Sequence, residues 1–211
     1  LSRVSAAVAL SYGAHSFLCA FNLHAHANEE QRAKYLPRLC AGEWSGAFAL
    51  TEPGAGSDAA SIETRAVLKG GRYLLNGTKI FITNGSIARV FLVFARTERR
   101  RGRGNSSVFI VERGFPGFSV GREIKKLGTC GSPLTELVFQ DCEVPAENLL
   151  GAEGEGLAAM LRGLDMERSV FSGMPVGLAQ AALDYALDYA AKRKQFKQPL
   201  TSFQLIQEML A

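Results

Sequence analysis

The sequence predicts an α+β multidomain fold in which a helical segment precedes a central antiparallel β barrel or sandwich, and a helical bundle follows it. Three observations predict this order. Residues 1–42 repeat small and apolar side chains at a helical spacing. From residue 44 to residue 150, short strand-like runs alternate with glycine-bearing turns, and after residue 156 the helical spacing returns. The expected domain boundaries are 1–43, 44–152 and 153–211.

The first segment is predicted to be helical. Residues 4–21 are apolar, but serine, tyrosine, glycine and histidine interrupt the run, which lacks a signal-type start and cleavage site. We therefore expect a buried helix here and no membrane span. Asn28 followed by Gln31 matches a capping box and predicts the start of a helix that ends around residues 37–42.

The central segment carries a hairpin signal at Gly70-Gly71, between an alternating run at 62–68 and the strand-like residues 73–75. No alternation of strands with helices occurs, so a Rossmann domain is not expected. Further strands are predicted at 78–83, 90–95, 108–111 and 137–139.

The third segment is predicted to be helical over residues 157–196, as one long helix or two consecutive ones. Pro175 is expected to kink or divide this pattern, because proline removes a backbone donor and clashes with the preceding turn. Thr201-Ser202 predicts the start of another helix, which runs from residue 203 to at least residue 210.

Composition argues against several classes of function. The net charge of +4 is mild for 211 residues. An arginine cluster, formed by Arg99, Arg100, Arg101 and Arg103, lies among glycines. A solvated loop is therefore expected here, and nucleic acid is not an expected partner. His24 and His26 lack a third ligand nearby, and the four cysteines have no metal or redox spacing, so we expect free thiols and no metal site.

Residues 48–58 read Phe-Ala-Leu-Thr-Glu-Pro-Gly-Ala-Gly-Ser-Asp, in which a strand-like apolar run leads into a loop with one proline and two glycines. Glycines permit a left-handed or closely approached backbone, so this loop could present N–H groups to a cofactor ring edge or a phosphate. An ordinary turn is the alternative. The stretch is neither a P-loop nor a dinucleotide fingerprint, because the lysine ending and the full glycine spacing are missing.

Four ordered motifs make the chain resemble the acyl-CoA dehydrogenases along nearly its whole length. The first is Leu-Thr-Glu-Pro-Gly-Ala-Gly-Ser-Asp at 50–58, and the second is Leu-Asn-Gly-Thr-Lys-Ile-Phe-Ile-Thr-Asn-Gly at 75–85. The third covers residues 137–145 and 148–151, and the fourth is Arg-Lys-Gln-Phe at 193–196 with Phe203-Gln204. The resemblance implies a fragment that holds the end of an N-terminal helical domain, the middle β domain and the start of a C-terminal helical domain.

Residues 9–16, 163–168 and 173–177 resemble the branch of the family that acts on short branched acyl groups. The implied reaction removes a proton from Cα and a hydride from Cβ of isovaleryl-CoA, giving 3-methylcrotonyl-CoA in leucine catabolism. Since no side chain accepts a hydride, FAD is the implied cofactor. Glu167 stands where that branch carries its catalytic base, although an exposed carboxylate paired with Arg168 or Arg162 is the alternative.

The resemblance also implies cofactor and substrate contacts. Arg193 and Gln204 would hold the pyrophosphate and adenosine portion, usually across a subunit interface, although Arg193 could simply be a charge at a helix C-terminus. The implied flavin-lining residues are Phe48, Leu50, Thr51, Gly56, Ser57, Phe81, Ile82 and Thr83. The implied substrate-binding residues are Ser57, Ala158, Asp165, Met166 and Arg168.

Two residues depart from the family pattern. Lys197 stands where a glycine is usual, which is demanding in a tight turn, and Ala158 stands where an aromatic residue would border the substrate. A longer or bulkier acyl chain is therefore an alternative, as are a flavin oxidase and an inactive flavin- or acyl-CoA-binding module. The implied partners are electron-transfer flavoprotein and three further copies in a homotetramer. The implied location is the mitochondrial matrix or the bacterial cytoplasm.

Overall fold

The computed structural model describes residues 1–97 and 105–211. The predicted solvated arginine loop lies in residues 98–104, outside the described part of the chain. Helices open and close the chain, and a mixed β sheet lies between them, which confirms the predicted α+β order.

The first helical stretch is continuous but changes its winding. Helix α1 (Ala6–Gly13) passes into a π-helical segment (Ala14–Ala20) and then into α2 (Phe21–His26). By length and composition alone, residues 6–26 could cross a membrane. In this fold the π-helical segment instead packs against the first strand and against a later helix.

Helix α3 (Glu29–Cys40) begins as the sequence predicts. The Asn28 side chain accepts a hydrogen bond from the Gln31 backbone N–H at 2.8 Å, and the Gln31 side chain accepts one from the Asn28 N–H at 3.1 Å. Gln31 is itself buried, and its amide donates to the carbonyls of Glu147 and Leu149. The capping residue therefore also ties α3 to the β domain.

Eight strands form the central sheet: β1 (Gly46–Ala49), β2 (Arg65–Lys69), β3 (Arg72–Thr83), β4 (Val90–Thr97), β5 (Ser106–Glu112), β6 (Phe118–Glu123), β7 (Leu134–Pro145) and β8 (Leu149–Leu150). Most neighbours are antiparallel, in the order β6–β7–β3–β2–β4–β5–β8. The sheet is mixed, however, because β1 and the first two residues of β2 pair with β4 in parallel, which the predicted antiparallel arrangement did not include.

Strand β4 separates two cores. Phe91 and Val93 point into a core made with β3 and β7, whereas Leu92 and Phe94 point into a core shared with the helices. A strand buried on both faces needs a nearly continuous apolar run, and residues 90–95 supply one. The helices are thereby fixed against one face of the sheet.

Two long helices follow the sheet. Helix α4 (Gly156–Phe171) and helix α5 (Gly173–Lys192) meet at Ser172, so the chain divides three residues before Pro175. Pro175 occupies the first turn of α5, where a missing N–H leaves no intrahelical bond unmade. A short hairpin, β9 (Lys194–Gln195) and β10 (Gln198–Pro199), then leads through a 3₁₀ turn to α6 (Gln204–Leu210).

Candidate functional site

Residues 50–57, called the strap below, leave β1 and cross the edge of β3. The strap is anchored at two places: the Ile80 N–H donates to the Thr51 carbonyl at 2.9 Å, and Ala55, which exchanges backbone hydrogen bonds with Glu52, is buried in the core shared with the helices. Pro53, Gly54, Gly56 and Ser57 are exposed. The strap therefore has one face on the protein and one face open to a ligand.

The strap glycines are not left-handed, contrary to one reason given for them above. Neither Gly54 nor Gly56 has a positive φ, and a Cβ added to either would meet no protein atom within 4 Å. The protein itself does not require glycine at these positions. The open space above the backbone fits a second reason, the close approach of a ligand.

Phe81 is the strained residue of the site. Its φ is +58°, in a region that bulky side chains rarely adopt, and 56% of its side chain is exposed. It lies in a β-bulge, since the pairing of β3 with β7 shifts between Lys79 and Ile82. Phe81 and Ile80 line a surface cavity of about 310 Å³ with residues 122–125. Strain of this kind concentrates at functional sites.

Three hydroxyls near this bulge are unused. Thr51, Ser57 and Thr83 donate no side-chain hydrogen bond to any residue that the structure describes. Other predicted flavin-lining side chains are committed to the core: the Phe48 ring packs on Phe94 at 4.8 Å, and Ile82 is 1% exposed. These two residues, with the partly buried Leu50, could offer a ligand only their backbone.

Glu167 lies on the buried face of α4. It follows Gly163 and precedes Phe171 by one turn each, and both of these residues touch the first helical stretch. A Cβ added to Gly163 would lie 2.5 Å from the Asn22 amide nitrogen, and one added to Gly13 would lie 2.5 Å from the Phe171 ring. Glu167 therefore lies on the face of α4 that packs on the first helical stretch, between these two close contacts.

The Glu167 carboxylate is half-buried and makes no hydrogen bond or ion pair with the described residues. Partial burial raises its pKa, and the neighbouring charge of Arg168 only partly opposes this. The predicted alternative, a carboxylate paired with Arg168 or Arg162, is not the arrangement found. A half-buried, unpaired carboxylate of raised pKa has the properties of a general base.

Contacts through α1 link the end of α4, one turn after Glu167, to the turn that follows β3. Asn84, which follows Thr83, donates through its side chain to the Ser11 carbonyl at 2.8 Å. Ser11 also hydrogen-bonds Ser132 at 2.8 Å, and Gly13, two residues later, touches Phe171. The turn after β3 and the end of α4 thus meet on opposite sides of one helical turn.

The other predicted substrate-binding residues of α4 do not share the Glu167 face. Ala158 borders a small cavity of about 130 Å³ with His26 and Arg162, and Asp165 and Arg168 are exposed. Met166 lines a larger apolar cavity of about 730 Å³ between α1–α2, α3 and α4, which Glu167 does not line. The structure therefore does not bring Ala158 and Asp165 together with the candidate base.

Arg193 and Gln204 lie at the far end of α5. Arg193 caps that helix and is exposed, and Gln204 begins α6. Between them the hairpin turn places both Phe196 and Lys197 at positive φ, +49° and +66°. The turn therefore forms without the usual glycine. The hairpin and α6 pack on α5, so this chain alone does not place either residue beside the strap.

Sequence reasoning missed the pair beneath the strap. Glu52 and Lys79 are both buried and form an ion pair of 2.7 Å. One signal was present: Lys79 is a charged residue inside a predicted strand, next to the apolar run of residues 80–82. Among the described residues, no three metal-ligating side chains converge.

Comparison with known proteins identifies relatives over the whole chain. Three domain descriptions of one family match: acyl-CoA dehydrogenase N-terminal domain at 1–43, middle domain at 47–142 and C-terminal domain at 154–211. The chain is 48% identical to a mitochondrial isovaleryl-CoA dehydrogenase of Pongo abelii, covering 100% of this chain and 50% of that protein. It spans about half the length of the curated relatives that it matches.

Solved structures share the fold. Butyryl-CoA dehydrogenase from Megasphaera elsdenii superposes with a TM-score of 0.97 at 43% identity, over 100% of this chain and 55% of that one. An acyl-CoA dehydrogenase from Bacillus anthracis complexed with FAD superposes with a TM-score of 0.94 at 42% identity, over 99% of this chain and 36% of that one.

Proposed function

Because the chain belongs to the acyl-CoA dehydrogenase family, we propose that it is part of an FAD-dependent enzyme that desaturates an acyl-CoA between Cα and Cβ. The observation that carries this proposal is Glu167. It is a half-buried carboxylate without an ion-pair partner among the described residues, and burial raises its pKa. These properties suit a base that works near neutral pH.

The open face of the strap and the β3 bulge have the properties of a flavin site. The hydroxyls of Thr51, Ser57 and Thr83 donate no hydrogen bond to the described residues and are available to a ligand. Phe81 offers an exposed ring, and Gly56 leaves its backbone accessible. Arg193 and Gln204 would contact the pyrophosphate and adenosine portion in a neighbouring copy. FAD, when bound, supplies the acceptor for the hydride that leaves Cβ.

Glu167 would take the Cα proton of the thioester onto a carboxylate oxygen. The close Gly163–Asn22 and Phe171–Gly13 contacts fix the part of α4 that carries this carboxylate against the first helical stretch. Because the site is partly shielded from water, the carboxylate is a stronger base than an exposed glutamate. Ser57, on the exposed part of the strap, would contact the thioester or pantetheine portion of the substrate.

We propose isovaleryl-CoA as the substrate and 3-methylcrotonyl-CoA as the product, a step of leucine catabolism. The similarity to an isovaleryl-CoA dehydrogenase supports this. The Phe171 ring, one turn after Glu167 and pressed on Gly13, supports a short acyl group, because it fills space beside the base. A straight short chain is the second candidate, favoured by the equally close fold of butyryl-CoA dehydrogenase.

The proposed partners are electron-transfer flavoprotein, as the electron acceptor, and further copies of the chain in a homotetramer. Exposed apolar side chains on α5 and α6 support an assembly: Tyr185 is 75% exposed and Met209 78% exposed. The proposed location is the mitochondrial matrix of a eukaryote or the cytoplasm of a bacterium. Sedimentation of the purified protein tests the assembly directly.

The decisive experiment is an anaerobic titration of the protein, expressed from its complete reading frame, with isovaleryl-CoA and then butyryl-CoA. Bleaching of the flavin absorbance band is expected with isovaleryl-CoA, and Glu167→Gln should abolish it. Glu30→Gln, the same change on the exposed side of α3, is the matched control and should bleach normally. Bound flavin that neither substrate reduces would contradict the proposed reaction, and rapid reoxidation by oxygen would instead favour an oxidase.

A further inference from the structure

A buried ion pair lies beneath the strap and takes no part in the proposed proton transfer. The Lys79 side chain is 0% exposed and the Glu52 side chain 6% exposed. Burial lowers the pKa of Lys79 to about 8, although the charge of Glu52 opposes the shift. Burial disfavours ionisation of Glu52 too, but the charge of Lys79 and the hydrogen bonds to the carboxylate outweigh it and lower the pKa.

The two side chains connect three parts of the backbone. The Lys79 ammonium donates to Glu52 Oε1 at 2.7 Å and to the Leu50 carbonyl at 3.0 Å. The Glu52 carboxylate also accepts from the backbone N–H groups of Glu63 at 2.6 Å and Thr64 at 3.0 Å. The start of the strap, the chain that follows it and strand β3 are therefore joined at one buried point.

The β3 bulge adds a second anchor next to the first. One extra residue of β3 interrupts its pairing with β7 between Lys79 and Ile82. The Ile80 N–H donates to the Thr51 carbonyl instead. Phe81, the next residue, takes the strained positive φ. Lys79 and Ile80 thus hold the strap at the point where β3 begins to present Phe81 outward.

Stability alone gives little reason for such a pair. Moving two charges out of water costs more than their attraction commonly returns, and a well-packed apolar pair in the same place is often as stable or more so. A fixed geometry is the property that an apolar pair would not supply, because Lys79 holds the Leu50 carbonyl and Glu52 holds two backbone N–H groups.

We propose that Lys79 and Glu52 are a positioning pair that fixes the strap against β3 and thereby sets the affinity of the protein for FAD. This inference rests on the proposed function. Neither residue touches the open face of the strap, so both act through Thr51 and the residues that follow it. Loss of either charge frees the strap and leaves the other charge buried without its partner.

The test compares single and double variants of the full-length protein. Lys79→Met and Glu52→Gln each remove one charge while keeping the length of the side chain, and the double variant removes both. The matched control is the exposed cross-strand ion pair between Arg72 of β3 and Glu143 of β7, which are 2.8 Å apart, as Arg72→Met with Glu143→Gln. The readouts are the dissociation constant for FAD, by flavin fluorescence, and the melting temperature of the apoprotein.

Each single variant should bind FAD at least tenfold more weakly and melt at a lower temperature. The double variant should recover the melting temperature, because no unpaired charge stays buried, but it should not recover FAD affinity. The control pair should change neither readout. A double variant that binds FAD as the wild type does would overturn the inference, because a purely structural pair predicts that result.

Two further measurements keep the test decisive. If the single variants do not fold, Lys79→Arg and Glu52→Asp retain both charges while changing the geometry, and each should still weaken FAD binding at an unchanged melting temperature. Wild-type protein that binds no FAD would overturn the proposed function. In that case hydrogen exchange of the Glu63 and Thr64 amides decides the anchoring role, which is wrong if Glu52→Gln leaves their protection unchanged.

Discussion

Gly163→Ala tests the close packing that holds α4, and with it Glu167, against the first helical stretch. The new Cβ would lie 2.5 Å from the amide nitrogen of Asn22 and 2.8 Å from its amide oxygen. Asn22 is 2% exposed, and its amide donates to the Leu18 carbonyl, so it cannot simply swing aside. Real Cβ atoms essentially never approach within 3.0 Å, so α4 or the Asn22 side chain must move.

The magnitude follows from two opposing effects. Overpacking a close contact costs about 1–3 kcal/mol, whereas alanine is about 1 kcal/mol better than glycine inside a helix. Gly173→Ala provides the control, because its added Cβ would meet no atom within 4 Å at the start of α5. The two variants share a gain in helix propensity, so Gly163→Ala should be less stable than Gly173→Ala by about 1–3 kcal/mol.

Urea denaturation of both variants, followed by far-UV circular dichroism, measures this difference. Substrate-dependent bleaching of the flavin should also slow in Gly163→Ala, because Glu167 lies one turn further along the displaced helix. Equal stability of the two variants, or greater stability of Gly163→Ala, would refute the close packing of α4 on Asn22.

Three other predictions follow from single residues. The acid limb of the rate of flavin reduction should lie at a higher pH than for an ordinary glutamate, because burial raises the pKa of Glu167 and only its ionised form accepts a proton. Glu30→Gln, on the exposed side of α3, should leave this limb in place. Lys197→Gly should stabilise the protein by about 0.5–1 kcal/mol in thermal melts, because glycine adopts a φ of +66° without the steric strain of a side chain. Lys194→Gly, in the adjoining strand β9, should destabilise it. Gln31→Ala should lower the free energy of unfolding by about 2–3 kcal/mol in urea denaturation, because it removes half of a capping box and two hydrogen bonds to β-domain carbonyls. An effect no larger than that of Glu30→Ala, on the exposed side of α3, would contradict this.

The features that the sequence predicted well depend on local chemistry. The Asn28–Gln31 capping box forms, because both partners lie within one turn. The Gly70-Gly71 turn forms the β2–β3 hairpin, with φ of +59° and +79° that favour glycine in a two-residue loop. Signals of this kind need no knowledge of the rest of the chain, and therefore they can be read from the sequence.

The features that the sequence did not predict depend on distant contacts. The continuous apolar run of residues 90–95 indicates a buried strand but not its neighbours, so the parallel partners β1 and β2 could not be inferred. Pro175 suggested a division of the last long helix, but the first turn of α5 accepts proline without losing a hydrogen bond, and the division falls at Ser172. The family resemblance implied that Ala158 borders the substrate, but Ala158 and Glu167 lie nine residues apart and therefore on opposite faces of α4.

The same limit explains why the buried pair was missed. Lysine and glutamate are almost never fully buried unless they are paired, so a charged residue in a sequence is ordinarily assigned to the surface. The partners are 27 residues apart, and the β3 bulge changes which side of the strand faces inward. Only the fold brings the ammonium and the carboxylate within 2.7 Å of each other.

The residues that break local rules gather along one edge of the sheet. Phe81 is bulky yet has a positive φ, Gly54 and Gly56 are glycines that their own backbone does not require, and Lys79 and Glu52 are buried charges. Each departure is unfavourable or neutral for folding when taken alone. Their concentration within the strap and the bulge is expected where a ligand, rather than the core, determines which residues fit. Glu167 follows the same logic on α4: a carboxylate left half-buried and unpaired among the described residues lowers stability but provides a base.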